Sequence, residues 1–424
     1  MDAFVVRPAG PLSGRVRVNG AKNSSLKLVA AALLAEGRSV VRNVPDIADM
    51  RVMAGVLAHL GADVGHDGDT WSVDVPVVVG TATPPALAAR LRASICVLGP
   101  LLARCGRARA ALPGGDRIGS RNIDIHLGGL ERMGAAIEFG PDYVEVRADR
   151  LVGADIDLEF ASVGATENLL MAAVRAVGTT TIANAAREPE VADLAAFLNA
   201  MGADVRGAGT PRVVVRGVGE LHPATHEVVP DRIEAGTFAV AAAVSDGEVQ
   251  LEGVVPGHLR LALDKLRAAG VDVETGDTAV TVRGSGALRG VDVVTLPYPG
   301  FPTDLQPQFL VLLSQAAGTS MVTENVFDGR FSAVAELARM GADAYVEGHH
   351  IIVRGRRRLR GATVRATDVR AGAALVLAGL VAEGPTVVLD PYHVDRGYAD
   401  FAGRLRALGA DIERRGVEAR AGAA

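Results

Sequence analysis

Lysine is almost missing from this chain: Lys22, Lys27 and Lys265 stand against 41 arginines in a total of 44 basic residues. A lysine kept under such a bias is a candidate for a role that arginine does not fill. Cysteine is scarcer still, with only Cys96 and Cys105. They have no C-x-x-C spacing and no His pair beside them, so they read as reduced core residues of a cytoplasmic protein, not as a disulfide or a metal site. Aromatic residues make up 4% of the chain, so its cores have to be built from Ala, Val and Leu. No uncharged apolar run reaches the roughly 18 residues that mark a membrane-crossing helix. The N-terminal stretch MDAFVVRPAG lacks the basic region and apolar run of a signal peptide. A net charge of −5 and a pI near 6.0 give no overall pull toward nucleic acid or an anionic membrane. Neither G-x-x-x-x-G-K-[ST] nor G-x-G-x-x-G after a strand occurs, which argues against ATP and NAD.

What is abundant is glycine, 50 residues in 424, and it is periodic. Six helix-like segments each end in a small tag whose glycine is Gly61, Gly134, Gly202, Gly270, Gly341 or Gly409, spaced 73, 68, 68, 71 and 68 residues apart. Each has a partner glycine upstream: Gly37, Gly106, Gly178, Gly247, Gly318 and Gly384. In the third copy "ATENLLMAAVRAVG" has helical apolar spacing and is expected to stop at Gly178 as a C′ glycine. "TTTIANA" reads as a strand, "EPEVADLAAFLNAM" as an amphipathic helix with acids at its start, and "ADVRGAG" as the beginning of another strand. Units of about 70 residues do not suit a solenoid. They suit two globular α/β domains of three units each.

Charge interrupts this small-residue monotony at element ends. "NGAKNSSLK" places Lys22 and Asn23 at a helix start, with Ser24 and Ser25 able to cap, an arrangement suited to phosphate or carboxylate. Arg92 lies on an otherwise apolar segment and is either a snorkelling surface residue or an anion ligand. "SVGATEN" brings Ser162, Val163 and Gly164 to another helix start. Asp304, after two prolines in "YPGFPTDLQ", is either an N-cap or a functional acid. Arg330, Asp368, Arg370, Asp395 and Arg396 follow in similar loops. In the glycine-rich "LPGGDRIGSR", Asp116 is either a turn acid or a proton carrier. Cationic clamps beside a carboxylate describe group transfer from a phosphorylated substrate.

These segments carry a resemblance. "GAKNSSLK", "RASICVLGPLLAR", "LPGGDRIGSRNIDIH", "SVGATENLLMAA", "NAAREPEVADL", "DRIEAGTF", "FPTDLQPQF", "TENVFDGRF", "ATDVRAGAALVLAGL" and "YHVDRGY" are collinear from about Val5 to Arg414. The chain resembles the enolpyruvyl transferases, and among them the UDP-N-acetylglucosamine 1-carboxyvinyltransferases of peptidoglycan precursor synthesis. The resemblance implies a pair of inverted α/β barrels, each of three βαβαββ units, joined by a double-crossing hinge. Residues 1–21 with 230–424 would form one lobe and 22–229 the other, the latter carrying the loop 112–121. It implies phosphoenolpyruvate and UDP-N-acetylglucosamine as substrates, with no metal and no cofactor.

By the same resemblance, Lys22, Arg121 and Arg396 clamp phosphoenolpyruvate, and Asn23 is shared with the sugar. Arg92, Arg121, Asn122, Ile123, Asp124, Ile125, Ser162, Val163 and Gly164 contact the nucleotide. Asp304 and Val326 hold the sugar and uracil ends, Asp304 also serving as base. Arg330 and Arg370 organise the site, and Asp368 lies near the reacting centre. Asp116 stands where many members carry a cysteine that donates a proton or aids product release. The epoxide fosfomycin alkylates that thiol, so insensitivity to it is expected here, together with an earlier loss of activity as pH rises. Phe160 and Ala161 replace a basic residue found in some members, and Asn122 replaces a common proline. Both leave room for a transferase acting on another uridine nucleotide. A non-catalytic nucleotide-sugar scaffold is the reading from a different class.

Overall fold

All six tag glycines take left-handed backbone, with φ between 91° at Gly134 and Gly341 and 102° at Gly61, Gly202 and Gly409. Each lies two residues past the end of a helix and turns the chain into a strand. Helix Pro189–Ala200, Gly202 and strand Asp204–Arg206 are one example. A side chain in this backbone region costs about 1–2 kcal/mol, so the periodic glycines are the corner pieces of a repeated turn.

The computed structural model describes residues 2–116, 118–120, 122–356 and 358–416. They divide into two compact units. One, here the Lys22 unit, holds Gly20–Gly115 and Asn122–Val229; the other, the Asp304 unit, holds the residues up to Asn19, a short segment beginning at Asp116, and those from Pro230 onward.

Each unit contains three sheets, matching three copies of the repeat. In the Lys22 unit the third copy shows the shared pattern. Strand Thr179–Ala183 pairs in parallel with Asp155–Asp157, with Ile182 opposite Ile156. It pairs antiparallel with Arg212–Arg216, which closes a hairpin with Asp204–Arg206. The outward arginines 212 and 216 flank buried Val213 and Val215, the alternation of a one-sided strand. In the Asp304 unit the same order recurs, for instance Val293–Val294, Gly318–Thr323, His350–Gly355 and Asp343–Glu347. Another of its sheets joins strand Asp2–Arg7 to Thr386–Leu389 and Asp411–Gly416, so the first and last described strands share one sheet.

Buried helices pack behind the sheets. All twelve residues of helix Val369–Leu380 are buried, and Ala, Val, Leu and Gly make up eleven of them. Outer helices such as Arg260–Ala268 bury only Ala262, Leu263 and Leu266 and expose their charges. The scarce aromatics are concentrated in the Asp304 unit, where Phe301 meets Phe309 edge-on at 4.7 Å and Tyr398 lies 4.8 Å from Phe401.

Three local expectations are corrected. The helix of "ATENLLMAAVRAVG" ends at Ala173, not at Gly178, because Val177 is already extended in a parallel bridge to Val152. Cys96 is buried, but Cys105, the last residue of helix Leu98–Cys105, is exposed; both are free thiols. Ser24 and Ser25 do not cap. The N-cap of helix Lys22–Ala31 is Ala21, without a capping side chain, while Ser25 Oγ donates to the Ala21 carbonyl and Ser24 Oγ reaches Asp193.

Candidate functional site

In the Lys22 unit helix Lys22–Ala31 starts from Ala21, which has no side chain to cap it, and the helix start carries the positive end of the dipole. Lys22, only 8% exposed, is set there by Asp49, whose carboxylate lies 2.9 Å from its ammonium and is itself buried. Asn23 is half-buried beside it, its carbonyl taken by Lys27 Nζ at 2.9 Å. Lys27 is spent internally. It pairs with Glu167 at 3.2 Å in the core, where burial pushes the Glu167 carboxyl up to about 7 although Lys27 opposes it. Lys22 therefore sits at a helix start, while Lys27 holds the fold.

Arg92 opens the 3-10 turn Arg92–Val97 and reaches the carbonyls of Pro113 at 3.5 Å and Asn122 at 3.4 Å, so it is neither loose nor snorkelling. Gly114 tolerates no side chain, since a Cβ there would lie 1.9 Å from the Ala89 carbonyl oxygen. Ile123 is the N-cap of helix Asp124–Arg132, with Asp124 in the first turn, where a carboxylate suits the dipole. Ile125 is half-buried. Ser162 caps helix Val163–Ala173, its Oγ accepting from the Ala165 amide at 3.3 Å. Val163 and Gly164 contribute first-turn amides. Gly164 packs against His126, where a Cβ would meet Cε1 at 3.2 Å. Burial pushes the His126 imidazole down to about 4, with Arg92 and Lys27 repelling its proton. His126 is therefore a neutral partner of Asn168 Nδ2, at 3.1 Å.

In the Asp304 unit the carboxylate of Asp304 is held from both sides. Arg330 Nη1 donates to Oδ1 at 2.7 Å, and Arg370 donates to Oδ2 from Nη2 at 3.1 Å and from Nε at 3.3 Å. Asp304 lies in the 3-10 turn Thr303–Leu305 ahead of helix Gln306–Gln315, and it is the N-cap residue of neither. Both arginines are about 3% exposed. Burial opposes their charge, yet Asp304 and Asp368 raise the Arg330 pKa, while Tyr398, Asp304 and Asp231 raise that of Arg370. The Tyr398 ring also lies 5.2 Å beneath the Arg370 guanidinium. Asp368 is the N-cap of helix Val369–Leu380; its Oδ1 accepts from the amides of Arg370 and Ala371, and its Oδ2 from Ser332 Oγ at 3.1 Å.

In the same unit Arg396, 5% exposed, donates from Nη1 to Oδ1 of Asp116, which is half-buried. Asp116 is thus in contact with a member of the expected clamp. Arg121 lies outside the described residues.

Three participants went unread in the sequence. Asp49 orients Lys22 from helix Ala48–His59. Asp231 caps helix Arg232–Val244 and adds to the field on Arg370. Glu324, 2% exposed, ties two loops: Oε1 accepts from Thr295 Oγ1 and from the amides of Val326 and Phe327, and Oε2 accepts from Thr303 Oγ1. An acid beside Asn325 and Val326 in "TENVFDGRF" was the available signal.

Comparison with known proteins gives the family and the fold. The family model for EPSP synthase (3-phosphoshikimate 1-carboxyvinyltransferase) matches residues 6–405. The UDP-N-acetylglucosamine 1-carboxyvinyltransferase of Mycobacterium tuberculosis is 54% identical over 97% of this chain and 99% of its own length. The protein of the same name from Corynebacterium efficiens is 51% identical, covering 97% of this chain and 98% of its own length. Among solved structures, the enolpyruvyl transferase NikO from Streptomyces tendae matches with a TM-score of 0.88 at 30% identity, over 97% of this chain and 98% of its own. EPSP synthase from Acinetobacter baumannii matches with a TM-score of 0.76 at 20% identity, over 98% of this chain and 100% of its own, a likeness of fold. With a family model spanning nearly its whole length and relatives above half identity, the chain belongs to the EPSP synthase family of enolpyruvyl transferases, in the branch of the UDP-N-acetylglucosamine 1-carboxyvinyltransferases.

Proposed function

We propose that the chain transfers the enolpyruvyl group of phosphoenolpyruvate to the 3′-hydroxyl of UDP-N-acetylglucosamine in the cytoplasm, releasing phosphate and opening peptidoglycan precursor synthesis. The observation that carries this reading is Asp304, a carboxylate held by two buried arginines in one of the segments that carry the resemblance. Both carboxylate oxygens are oriented by these donors, Oδ1 by Arg330 and Oδ2 by Arg370.

The steps follow from the charges. Phosphoenolpyruvate brings a phosphate and a carboxylate, which Lys22 and Arg396 neutralise with Arg121. Asp116 gives a proton to C3, and positive charge develops at C2. The sugar 3′-oxygen attacks C2 as Asp304 takes its proton, giving a tetrahedral phospho-ketal. C3 then returns a proton to the Asp116 carboxylate, the C2–O bond breaks, phosphate leaves with the proton that Asp304 took, and the enol ether remains. Arg92, Asn122, Ile123, Asp124, Ile125, Ser162, Val163, Gly164 and Val326 position the nucleotide, with Asn23 at the sugar. Arg330 and Arg370 aim the base, and Asp368 fixes the helix that carries Arg370. Placing reactants and a base in this way supplies orientation as well as proton transfer.

Phosphate release is the test. The chain should release phosphate from phosphoenolpyruvate when UDP-N-acetylglucosamine is the acceptor. Turnover with another uridine nucleotide and none with UDP-N-acetylglucosamine would overturn the acceptor assignment.

A further inference from the structure

We propose that Asp328 is a positioning residue that latches the loop bearing Asp116. Its effect on turnover rests on the enolpyruvyl-transfer reading, whereas the latch itself does not.

The loop tip is docked by three hydrogen bonds. The Ile118 carbonyl accepts from the Gly329 amide at 3.1 Å. Ser120 gives both of its donors to one carboxylate, its amide to Asp328 Oδ1 at 2.8 Å and its hydroxyl to Oδ2 at 2.7 Å. Between them Gly119 sits at φ 120°, and a Cβ there would lie 1.7 Å from Asp328 Oδ1 and 2.7 Å from the Gly329 nitrogen. Only glycine allows this approach. Ile118 is 3% exposed, so an apolar anchor is buried beside the polar latch. The bonds from Ser120 also hold the Asp328 carboxyl below its ordinary value, which marks them as bonds to the charged form.

Location gives the latch its consequence. Asp328 is exposed, so its carboxylate is not needed to fill a core. Two residues further on, Arg330 turns inward to Asp304. One short segment therefore holds the loop of the proposed acid through Asp328 and the proposed base through Arg330. Asp116 is kept against Arg396 by this docking, three residues from the latched Gly119.

The latch is tested by hydrogen exchange at the Ser120 amide and by steady-state kinetics, using the full-length chain. Asp328→Ala should speed that exchange by about tenfold or more, the scale of one hydrogen bond to a charged group. It should lower kcat by roughly tenfold while the KM for UDP-N-acetylglucosamine stays within about twofold. Ser120→Ala should lower kcat less, and the double variant should be no worse than Asp328→Ala, as expected for two partners in one interaction. Unchanged exchange in Asp328→Ala, or losses in kcat that simply add, would overturn the latch. Exchange is measured without substrate. Faster Ser120 exchange in a chain whose wild type does not turn over UDP-N-acetylglucosamine would support the latch and remove the functional reading.

Discussion

Asp304 and Asp116 are both aspartates paired with buried arginines, and they are held in opposite ways. Asp304 sits in a turn braced by Glu324 through Thr303, with both oxygens bound by Arg330 and Arg370. Asp116 follows Pro113-Gly114-Gly115, is bound by Arg396, and depends on a docked tip at 118–120 for its position. A base that meets an already oriented hydroxyl gains from rigidity. An acid that must deliver a proton to carbon and then make way for product gains from a support that releases. The proposed division of labour is written in what surrounds each carboxylate, not in the carboxylates themselves.

The contrast breaks most visibly at the rigid side. Asp304→Asn keeps the shape and one acceptor oxygen, turns the other oxygen into a donor facing an arginine, and cannot take a proton. It should lower kcat by about a thousandfold, within the usual range for general acid–base groups, while the cooperative unfolding transition persists. Activity within about tenfold of wild type would move the base elsewhere. Asp304→Ala is the less clean variant, because it leaves two buried guanidiniums without their shared partner.

The loop side is sharpened by exchange of function. Asp116→Asn should cost roughly a hundredfold in kcat, and Asp116→Cys should recover much of that loss, since a thiol also carries a proton to give and holds it to higher pH than a carboxylic acid. The same variant should become sensitive to fosfomycin, with the mass increase on residue 116. Wild type should resist, because burial pushes the Cys96 thiol up to about 12 and also raises that of Cys105, leaving little thiolate for the epoxide. Activity of the cysteine variant should persist to higher pH than that of wild type. Identical profiles would remove Asp116 as the proton donor.

How much of this was legible follows the same contrast. The periodic glycines announced six turns because only glycine takes that backbone cheaply, and six sheets are present. Lys22 stood out through compositional bias and a helix start, and Asp304 and Arg330 through motifs. Asp49 was hidden because nothing in its own helix distinguishes a buried acid from a surface one until Lys22 is placed 2.9 Å away. Arg330 and Val326 were read in "TENVFDGRF" while Glu324 and Asp328 were passed over. Their importance lies in the donors they meet, Thr303 and Ser120, which are 21 and 208 residues distant in the chain. Ser24 and Ser25 looked like caps, but Asp193 and the Ala21 carbonyl compete for their hydroxyls. Residue chemistry was readable, and partnership across the sequence was not.

The smallest effect tests the bracing itself. Glu324→Gln is nearly isosteric and keeps one oxygen for Thr295 and the amides of Val326 and Phe327. It replaces the other oxygen, which accepts from Thr303 Oγ1 at 2.9 Å, with a donor. Thr303 Oγ1 already accepts from Arg330 Nη1 at 2.9 Å, so in the variant two donors face one hydroxyl whose own proton has lost its acceptor. The turn bearing Asp304 should loosen without losing its charges. A fall in kcat of about threefold to tenfold is expected, the scale of one hydrogen bond, with exchange at the Ser120 amide unchanged. A loss confined to kcat would separate bracing of the base from docking of the loop. An unchanged kcat would mean that the two arginines alone hold Asp304, and the claimed difference in rigidity between the two aspartates would rest on the loop side only.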